Sequence, residues 1–207
     1  MLSGIIFCLQ RGYRWSNVPA EYGPAKTLYN RYKRWSEAGV FARVFETLAR
    51  ENADLSTLMI DAGHVKTHRI AANGVKKNTG HGRAIGKTRG GLNSKLHLVC
   101  DGAGCPVHLC LTAGNRADIT KAHQCLEPYV AKDRKVIADC GYDANHLRER
   151  DANPRIPPRK NRKIQIEYDA DLYKTRNIIE RMFNRLKDWR QLSLRTFRCS
   201  EIFLATQ

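Results

Sequence analysis

The fold is decided first by residues 55–61, which read Leu-Ser-Thr-Leu-Met-Ile-Asp. An apolar run of this length is typical of a buried strand, and we predict that the strand ends at Asp61. Residues 135–139, Lys-Val-Ile-Ala-Asp, repeat the pattern and place Asp139 directly after a second short strand. Carboxylates that follow buried strands lie at the sheet edge where α/β proteins place their chemistry. The two runs therefore predict an acidic site at one edge of a sheet.

The surrounding segments predict a mixed α/β domain with a mixed five-stranded sheet. Residues 95–100 and 106–111 are typical of a hairpin that turns at 101–104, Asp-Gly-Ala-Gly. The periodicity also predicts helices at 119–131, 144–150 and 169–190 and a short strand around Ile156. This order of elements is typical of helices packed on a mixed sheet.

Residues 1–53 differ from the rest and predict a small helical subdomain, so that a second domain would comprise residues 54–207. We expect helices at 3–11, 24–38 and 40–52. In the second of these, Leu28, Tyr32 and Trp35 form an apolar stripe, and basic residues occupy the other faces. This pattern fits a DNA-binding module and fits a packing subdomain with a solvated basic face equally well.

The composition indicates a folded protein with a polyanionic partner. Of 207 residues, 36 are Lys or Arg and 20 are Asp or Glu, so the formal net charge is +16. A balance this basic favours nucleic acid as the partner. The longest near-apolar run, residues 5–9, is far too short to span a bilayer, and the N-terminus lacks the basic region of a secretory signal. We therefore expect a cytoplasmic protein with no membrane partner.

The cysteines predict reduced thiols, since there are seven and no C-x-x-C pair. The spacing His97-x2-Cys100-x4-Cys105-x2-His108 could be drawn as a zinc site. Each His–Cys pair, however, lies in a predicted strand, where residues three apart face opposite sides. We therefore interpret these four residues as parts of the hairpin.

Three acids stand out against the basic background: Asp61, Asp139 and Glu180. Glu180 has apolar neighbours in the predicted helix, so we expect its side chain to point toward a packed face. A buried carboxylate needs a positive partner, and a divalent cation shared with the two aspartates would meet that need. Hard oxygen ligands favour Mg²⁺. Taken singly, each acid has an ordinary explanation, as a turn cap or as a helical pair such as Glu180 with Arg176.

The last predicted helix carries the most specific motif, Tyr173-x2-Arg176-x3-Glu180-x6-Lys187. It resembles the Y-x2-R-x3-E-x6-K signature of DDE transposases from bacterial insertion sequences, of the IS-four/IS-five type. Segments 60–68, 85–97 and 137–143 resemble the same family, so the likeness extends over nearly the whole chain. Members usually carry a further helical stretch before the residue that is Met1 here, and residues 203–207 stop within an expected helix. We therefore expect a chain that is shortened at both ends.

The resemblance implies an RNase H-like catalytic fold in which the first and fourth strands are neighbours. It implies that Asp61, Asp139 and Glu180 are the catalytic metal ligands, with Mg²⁺ as cofactor and Mn²⁺ as a substitute. It further implies that Tyr173, Arg176 and Lys187 contact DNA. The partners would be double-stranded DNA, both the terminal inverted repeats of the element and the target, and other copies of this chain.

The segment from Ile70 to Gly91 is rich in glycine and basic residues and predicts a mobile loop. We expect this loop to become ordered on DNA through Arg83, Lys87 and Arg89.

Two other functions remain open beside the transposase. A non-catalytic DNA-binding relic would bind through phosphate attraction alone, independently of the three acids and with a steep dependence on salt. An RNase H-like nuclease without strand transfer is disfavoured by the Tyr-Arg-Glu-Lys helix.

Overall fold

The computed structural model describes residues 1–72, 83–129, 134–150 and 153–206, and within them a seven-stranded mixed sheet is flanked by helices. The helices are α1 (Leu2–Arg11), α2 (Ala25–Glu37), α3 (Val40–Asn52), α4 (Arg69–Ala72), α5 (Ile119–Leu126), α6 (Asn145–Arg150), α7 (Ala170–Lys174), α8 (Asn177–Lys187), α9 (Arg190–Ser193) and α10 (Ser200–Leu204). The strands are β1 (Thr57–Thr67), β2 (Gly86–Thr88), β3 (Gly91–Asp101), β4 (Pro106–Ala113), β5 (Lys135–Ile137), β6 (Asn153–Arg155) and β7 (Leu194–Arg195).

The strand order confirms the predicted fold class. Antiparallel β3 lies between β1 and β4, while β5 pairs with β1 in parallel and β6 pairs with β5 in parallel. The first and fourth of the predicted strands, now β1 and β5, are therefore neighbours, as an RNase H-like fold requires. The short strands β2 and β7 were not predicted. They add to the ends of β3 and β1 and extend the expected five strands to the seven described.

Strand β1 is longer than predicted, and the expectation that it ends at Asp61 is wrong. Antiparallel pairing with β3 continues through Asp61 opposite Leu98 as far as Lys66 opposite Asn93. The small and polar residues after Asp61 stay extended because β3 satisfies their backbone groups. Parallel pairing with β5 stops earlier, at Met59 opposite Ile137. Asp61 therefore lies inside β1 but at the point where the parallel part of the sheet opens.

The sheet buries both of its faces. On one face Leu58 and Ile60 of β1 join a core with Ala122 and Cys125 of α5. On the other face Met59 packs in a core with Ile179 and Phe183 of α8.

Helix α8 comes close to β1 at Gly63. A Cβ atom on this glycine would lie only 2.9 Å from Cε1 of Phe183. The missing side chain therefore lets the Phe183 ring reach the strand backbone.

The single helix predicted at 169–190 is wrong, because the chain forms α7, α8 and α9 in its place. Asp169 caps α7 by accepting a hydrogen bond from the Leu172 N–H at 2.9 Å. The backbone then tightens: the Arg176 N–H donates to the Tyr173 carbonyl at 3.0 Å, a three-residue spacing. Such 3-10 bonds break the regular α-helical ladder, so Tyr173 lies on α7, whereas Glu180 and Lys187 lie on α8.

The other predicted helices and loops are confirmed in part. Helix α5 ends at Leu126 and continues as a 3-10 turn to Tyr129, short of the predicted residue 131, and residues 130–133 lie outside the described residues. The predicted loop at 70–91 contains the end of α4 and all of β2, and residues 73–82 lie outside the described residues. None of the helices that the structure describes is both long and apolar enough to cross a membrane.

The N-terminal helices share a core with the C-terminal segment. Ile5, Leu28 and Tyr32 from α1 and α2 pack with Ile202 from α10. The Tyr32 hydroxyl donates a hydrogen bond to the Ile202 carbonyl. The division into residues 1–53 and 54–207 stays a prediction, and the core of its first part includes a residue from the second.

Candidate active site

Asp61 lies on the face of the sheet that α8 covers. Its Oδ1 accepts a hydrogen bond from the Ala62 N–H at 2.8 Å, and its Oδ2 accepts one from Arg176 Nη2 at 2.9 Å. The side chain is 17% exposed, so water reaches the carboxylate only from one side. An acid in this position is fixed in direction and remains accessible to a ligand.

Asp139 follows β5 and forms the start of a 3-10 turn. Its Oδ1 accepts a hydrogen bond from the Gly141 N–H at 2.8 Å, which confirms the capping role that its position allows. The side chain is half-buried. The charge of Asp139 is close enough to Asp61 to influence the ionisation of that residue.

Glu180 is exposed, and the expectation that it points toward a packed face is wrong. Its side chain is 53% exposed, while Ile179 and Phe183 occupy the buried positions of α8. Successive residues on a helix are about 100° apart, so the residue next to Ile179 leaves the buried face. Arg176 Nη1 donates a hydrogen bond to Glu180 Oε1, which is the predicted helical pair.

Arg176 joins the acids across the two elements. One guanidinium nitrogen contacts Glu180 on its own helix and another contacts Asp61 on β1. Burial alone would lower the pKa of Arg176, but Asp61, Tyr173, Glu180 and Asp139 together raise it above its ordinary value. The guanidinium therefore stays charged and lies where the acids converge.

Negative charge at this site is only partly compensated. Burial raises the pKa of Asp61; Arg176 and the Ala62 N–H oppose this, whereas Asp139 adds to it, and the net direction is upward. A carboxyl group with a raised pKa gains from a further positive charge nearby. Oxygen donors of this kind are suited to a hard divalent cation.

The carboxylate oxygens of Asp61, Asp139 and Glu180 do not all lie within 4.8 Å of one another, so they do not form a compact metal site. Among the described residues, the only group of three or more His, Cys, Asp or Glu with ligand atoms within 4.8 Å of one another is His108, Cys110 and Cys125. Arg176 separates Asp61 from Glu180 by bonding to both. Binding of one ion by the three acids therefore requires the guanidinium to move.

The other residues of the Tyr-Arg-Glu-Lys motif differ in how close they lie to the three acids. Tyr173 lies close enough to Asp139 for the aspartate charge to contribute to the raised pKa of the phenol, although burial is the larger cause. Lys187 is the exposed last residue of α8, two turns beyond Glu180 and on the same side of the helix. The structure thus gathers Tyr173 and Arg176 near the acids and places Lys187 farther along α8.

The basic residues predicted to bind DNA from the loop have different surroundings. Lys87 in β2 and Arg89 in the following turn are exposed. Arg83 is half-buried, and its Nη1 donates a hydrogen bond to the Ala72 carbonyl at 3.3 Å. Two of the three side chains are therefore presented to solvent.

Sequence reasoning missed a buried ion network behind the site. Asp143 contacts Arg148 at 2.8 Å and Arg162 at 2.7 Å, and it accepts a hydrogen bond from the Arg159 N–H at 2.8 Å. Burial alone would raise the pKa of Asp143, but these contacts hold it below its ordinary value. The basic run at 157–163 was the available signal, because so many charges in one segment need acidic partners.

The family models that match this chain, and a similar protein, are all described as transposases. The family model described as "Transposase DDE domain" matches residues 52–206, and the model described as "Putative transposase of IS4/5 family" matches residues 1–45. The chain is 36% identical over 109 residues to the "Putative transposase for insertion sequence element IS6501" of Brucella ovis, which covers 50% of this chain and 83% of that protein.

Two further similarities are more limited. The chain is 35% identical over 72 residues to the "Insertion element IS402 uncharacterized 16.2 kDa protein" of Burkholderia cepacia, which covers 31% of this chain and 49% of that protein. A cryo-EM structure of the piggyBac transposase synaptic complex with hairpin DNA aligns with a TM-score of 0.37 at 12% identity, covering 54% of this chain and 24% of that one.

Proposed function

Since the chain belongs to the family of transposase DDE domains, we propose that it cleaves and rejoins phosphodiester bonds at the ends of an insertion sequence. The observation that supports this most directly is that the acids converge on one positively charged side chain, the guanidinium of Arg176. Asp61 and Glu180 both bond to Arg176, and the charge of Asp139 influences Asp61 and Arg176 alike. The proposed catalytic residues are therefore Asp61, Asp139 and Glu180.

We propose that the same three acids hold Mg²⁺, for which Mn²⁺ would substitute. The donors are carboxylate oxygens, which suit a hard cation, and a positive group already lies among them as Arg176. When bound, such ions activate the attacking water and stabilise the leaving oxygen of a phosphodiester.

The role that we propose for Arg176 is an exchange of partners. Without DNA its guanidinium forms ion pairs with both Asp61 and Glu180. Two oxygens of a phosphate group can accept a bidentate contact from the planar guanidinium, as the two oxygens of a carboxylate do. Arg176 would therefore turn from the acids to the DNA backbone, and the same movement would open the acids to their cation.

DNA would follow the exposed side of α8. Tyr173 and Lys187 lie on either side of Glu180 along the chain, and Lys87, Arg89 and Arg83 would add contacts from the region of β2. The formal charge of +16 supports a polyanionic partner, which we propose to be the inverted repeats of the element and its target DNA. We further propose that copies of this chain assemble on DNA and that the helical subdomain 1–53 contributes to DNA binding.

The test is nicking of supercoiled plasmid in Mg²⁺ or Mn²⁺ by the wild-type chain and by Asp61→Ala and Glu180→Ala. Asp171→Ala is the matched control, because the Asp171 carboxylate is 91% exposed on α7 and contacts only Lys174 among the ion pairs of the described residues. We expect metal-dependent nicking by the wild type and by Asp171→Ala, and none by the other two variants.

Equal nicking by all four proteins would contradict the proposal, because the cleavage would then come from elsewhere. Absence of nicking with intact DNA binding that falls steeply with salt would favour the non-catalytic relic. Binding is measured on the same preparations by filter retention at several salt concentrations.

A further inference from the structure

The face of the sheet opposite the acids carries a compact group of softer ligands. His108 and Cys110 of β4 and Cys125 of α5 have ligand atoms within 4.8 Å of one another. The sulfur atoms of Cys110 and Cys125 are 3.0 Å apart. Cys125 is fully buried and the other two side chains are half-buried. Nothing in the proposed DNA chemistry uses these residues.

The local structure explains why the three meet. His108 and Cys110 are two residues apart in β4, so their side chains leave the strand on the same side. Helix α5 packs on that side with Ala122 and Cys125, three residues apart, facing the sheet. Although Cys125 is 15 residues beyond Cys110 in sequence, the fold places their sulfur atoms in contact.

We propose that His108, Cys110 and Cys125 bind Zn²⁺ and that the ion ties α5 to β4. Two sulfurs and an imidazole nitrogen are the donors that zinc prefers in structural sites. A tetrahedral ion with Zn–S bonds of about 2.3 Å holds two sulfurs roughly 3.8 Å apart. The sulfur atoms, now 3.0 Å apart, would therefore have to move about 0.8 Å farther apart when the ion binds.

The ionisation of the pair fits the same role. The hydrogen bond from Cys125 lowers the pKa of Cys110, burial opposes this effect, and His108 lowers the pKa further, so that the net direction is downward. The thiolate is the form of cysteine that binds metal. Binding of zinc by the two sulfurs would release the protons that they carry as thiols.

The fourth ligand that we propose is His97, which lies outside the group of three but on the neighbouring strand β3. It lies directly opposite Cys110 in the β3–β4 ladder and is fully buried. Its Nε2 contacts Thr112 Oγ1 at 2.9 Å, while its Nδ1 has no hydrogen-bond partner among the described residues. Metal-binding histidines commonly bond a neighbouring oxygen through the second ring nitrogen. His97 would therefore turn its free Nδ1 toward the ion and keep its contact with Thr112.

The test begins with the reduced, metal-free chain titrated with Co²⁺, a spectroscopic substitute for Zn²⁺. Thiolate ligands give Co²⁺ an intense charge-transfer absorption, which carboxylates do not give, so the band separates this site from the acidic one. We expect the band in the wild type, a loss of about half its intensity in Cys110→Ser or Cys125→Ser, and displacement of Co²⁺ by Zn²⁺. Competition with a chromophoric chelator then measures Zn²⁺ affinity, which should fall by roughly tenfold or more in either variant.

The matched controls are Cys105→Ser and Cys140→Ser, which change exposed thiols outside the group. Both should keep the full band, and Cys140→Ser also removes the thiol next to Asp139. Asp61→Ala should keep the band as well, so failure of the acidic site leaves this test intact. His97→Gln and His108→Gln should each weaken Zn²⁺ binding without removing a thiolate, which guards against a cysteine variant that fails to fold.

Absence of the band in the reduced wild type would overturn the proposal. So would a band that is unchanged in both Cys110→Ser and Cys125→Ser. If the reduced chain binds no Co²⁺ while mass spectrometry of the air-exposed chain shows a Cys110–Cys125 disulfide, the pair is a redox couple and not a zinc site.

Discussion

The two faces of the sheet differ in the chemistry they gather. On the α8 face, Asp61, Asp139 and Glu180 supply hard oxygen donors, and Glu180 is 53% exposed. On the α5 face, His108 and the cysteine pair supply softer donors, of which only Cys125 is fully buried. Under the two proposals, one β-sheet would separate two kinds of site, because alternate residues of a strand point to opposite sides.

Exposure is the second difference between the two faces. Two of the acids, Asp61 and Glu180, bond to the charged side chain of Arg176, and solvent reaches Glu180 directly. The sulfur atoms already touch and are packed with the core residues around α5. An open group of ligands suits a site that exchanges metal and substrate, and a closed one suits a structural ion. Changes on one face should accordingly leave the other unaffected.

The largest expected effect is the loss of nicking in Glu180→Gln. The change keeps the size of the side chain but removes its charge, so we expect nicking to fall by about 10³-fold or more, the scale of losing a principal catalytic group. The Co²⁺–thiolate band should remain. A quantitative plasmid assay beside the Co²⁺ titration makes the comparison, and loss of both signals would show that the two faces are coupled.

Next in size is the stability of Asp143→Asn, which probes the buried support of the acidic face. The Asp143 side chain is 1% exposed and contacts two arginines, so the change should cost roughly 3 kcal/mol in the free energy of unfolding. Urea titration measures this difference, and Asp171→Asn, which changes an exposed carboxylate, should have almost no effect.

The same variant predicts a dependence on pH. The contacts of Asp143 lower its pKa in the folded state, so its carboxylate stabilises the fold fully above the unfolded-state pKa of about 3.9. That contribution is lost as the pH falls from there through the lower folded-state pKa. The difference between wild type and Asp143→Asn should therefore be largest above about pH 4 and shrink below it. A constant difference across this window would show that Asp143 acts through packing alone.

A smaller effect is expected for the metal affinity of Arg176→Gln. Removing the guanidinium frees Asp61 and Glu180, so Mn²⁺ should bind the DNA-free chain roughly tenfold more tightly, equal to about 1.4 kcal/mol. Isothermal titration calorimetry tests this, with Arg185→Gln as the control for net charge, since Arg185 is exposed on the same helix. Tighter binding by both variants to the same extent would mean that general charge, and not the direct contacts, sets the affinity.

The smallest expected effect concerns DNA affinity in Lys187→Gln. The loss of one phosphate contact should weaken binding a few-fold and reduce the slope of log affinity against log salt by about 0.9. Lys121→Gln is the control, because Lys121 lies on α5 at the opposite face of the sheet. Equal losses in the two variants would show that DNA does not distinguish the faces.

Much of the sheet could be predicted from sequence because its strands carry local signals. The runs before Asp61 and Asp139 and the hairpin between them gave the order and neighbours of the main strands. The full length of β1 could not be predicted, because residues after Asp61 are held extended by pairing with β3 and not by their own apolar pattern. The break in the helix before Arg176 could not be predicted either, because it depends on backbone hydrogen bonds that no residue type in the sequence indicates.

The two candidate sites could likewise be predicted only in part from the sequence. Motif spacing located the acids, but the exposure of Glu180 and the bridge through Arg176 depend on the contact between α8 and β1. The spacing His108-x-Cys110 was a signal for a shared strand face. The third residue of the group, Cys125, could not be predicted from spacing, because only the packing of α5 on the sheet brings it to Cys110.

The contact between Tyr32 and Ile202 can form only late in the synthesis of the chain. The two residues are separated by 170 positions, and Ile202 belongs to the core of the N-terminal helices. A ribosome adding about 5 to 20 residues per second needs on the order of 10 to 30 s to make the intervening chain. Until then the first helices on the nascent chain lack part of their core and carry apolar surface that chaperones recognise. Interruption of translation before residue 202 would leave that surface exposed, so we expect incomplete chains to be degraded rather than to accumulate beside the finished protein.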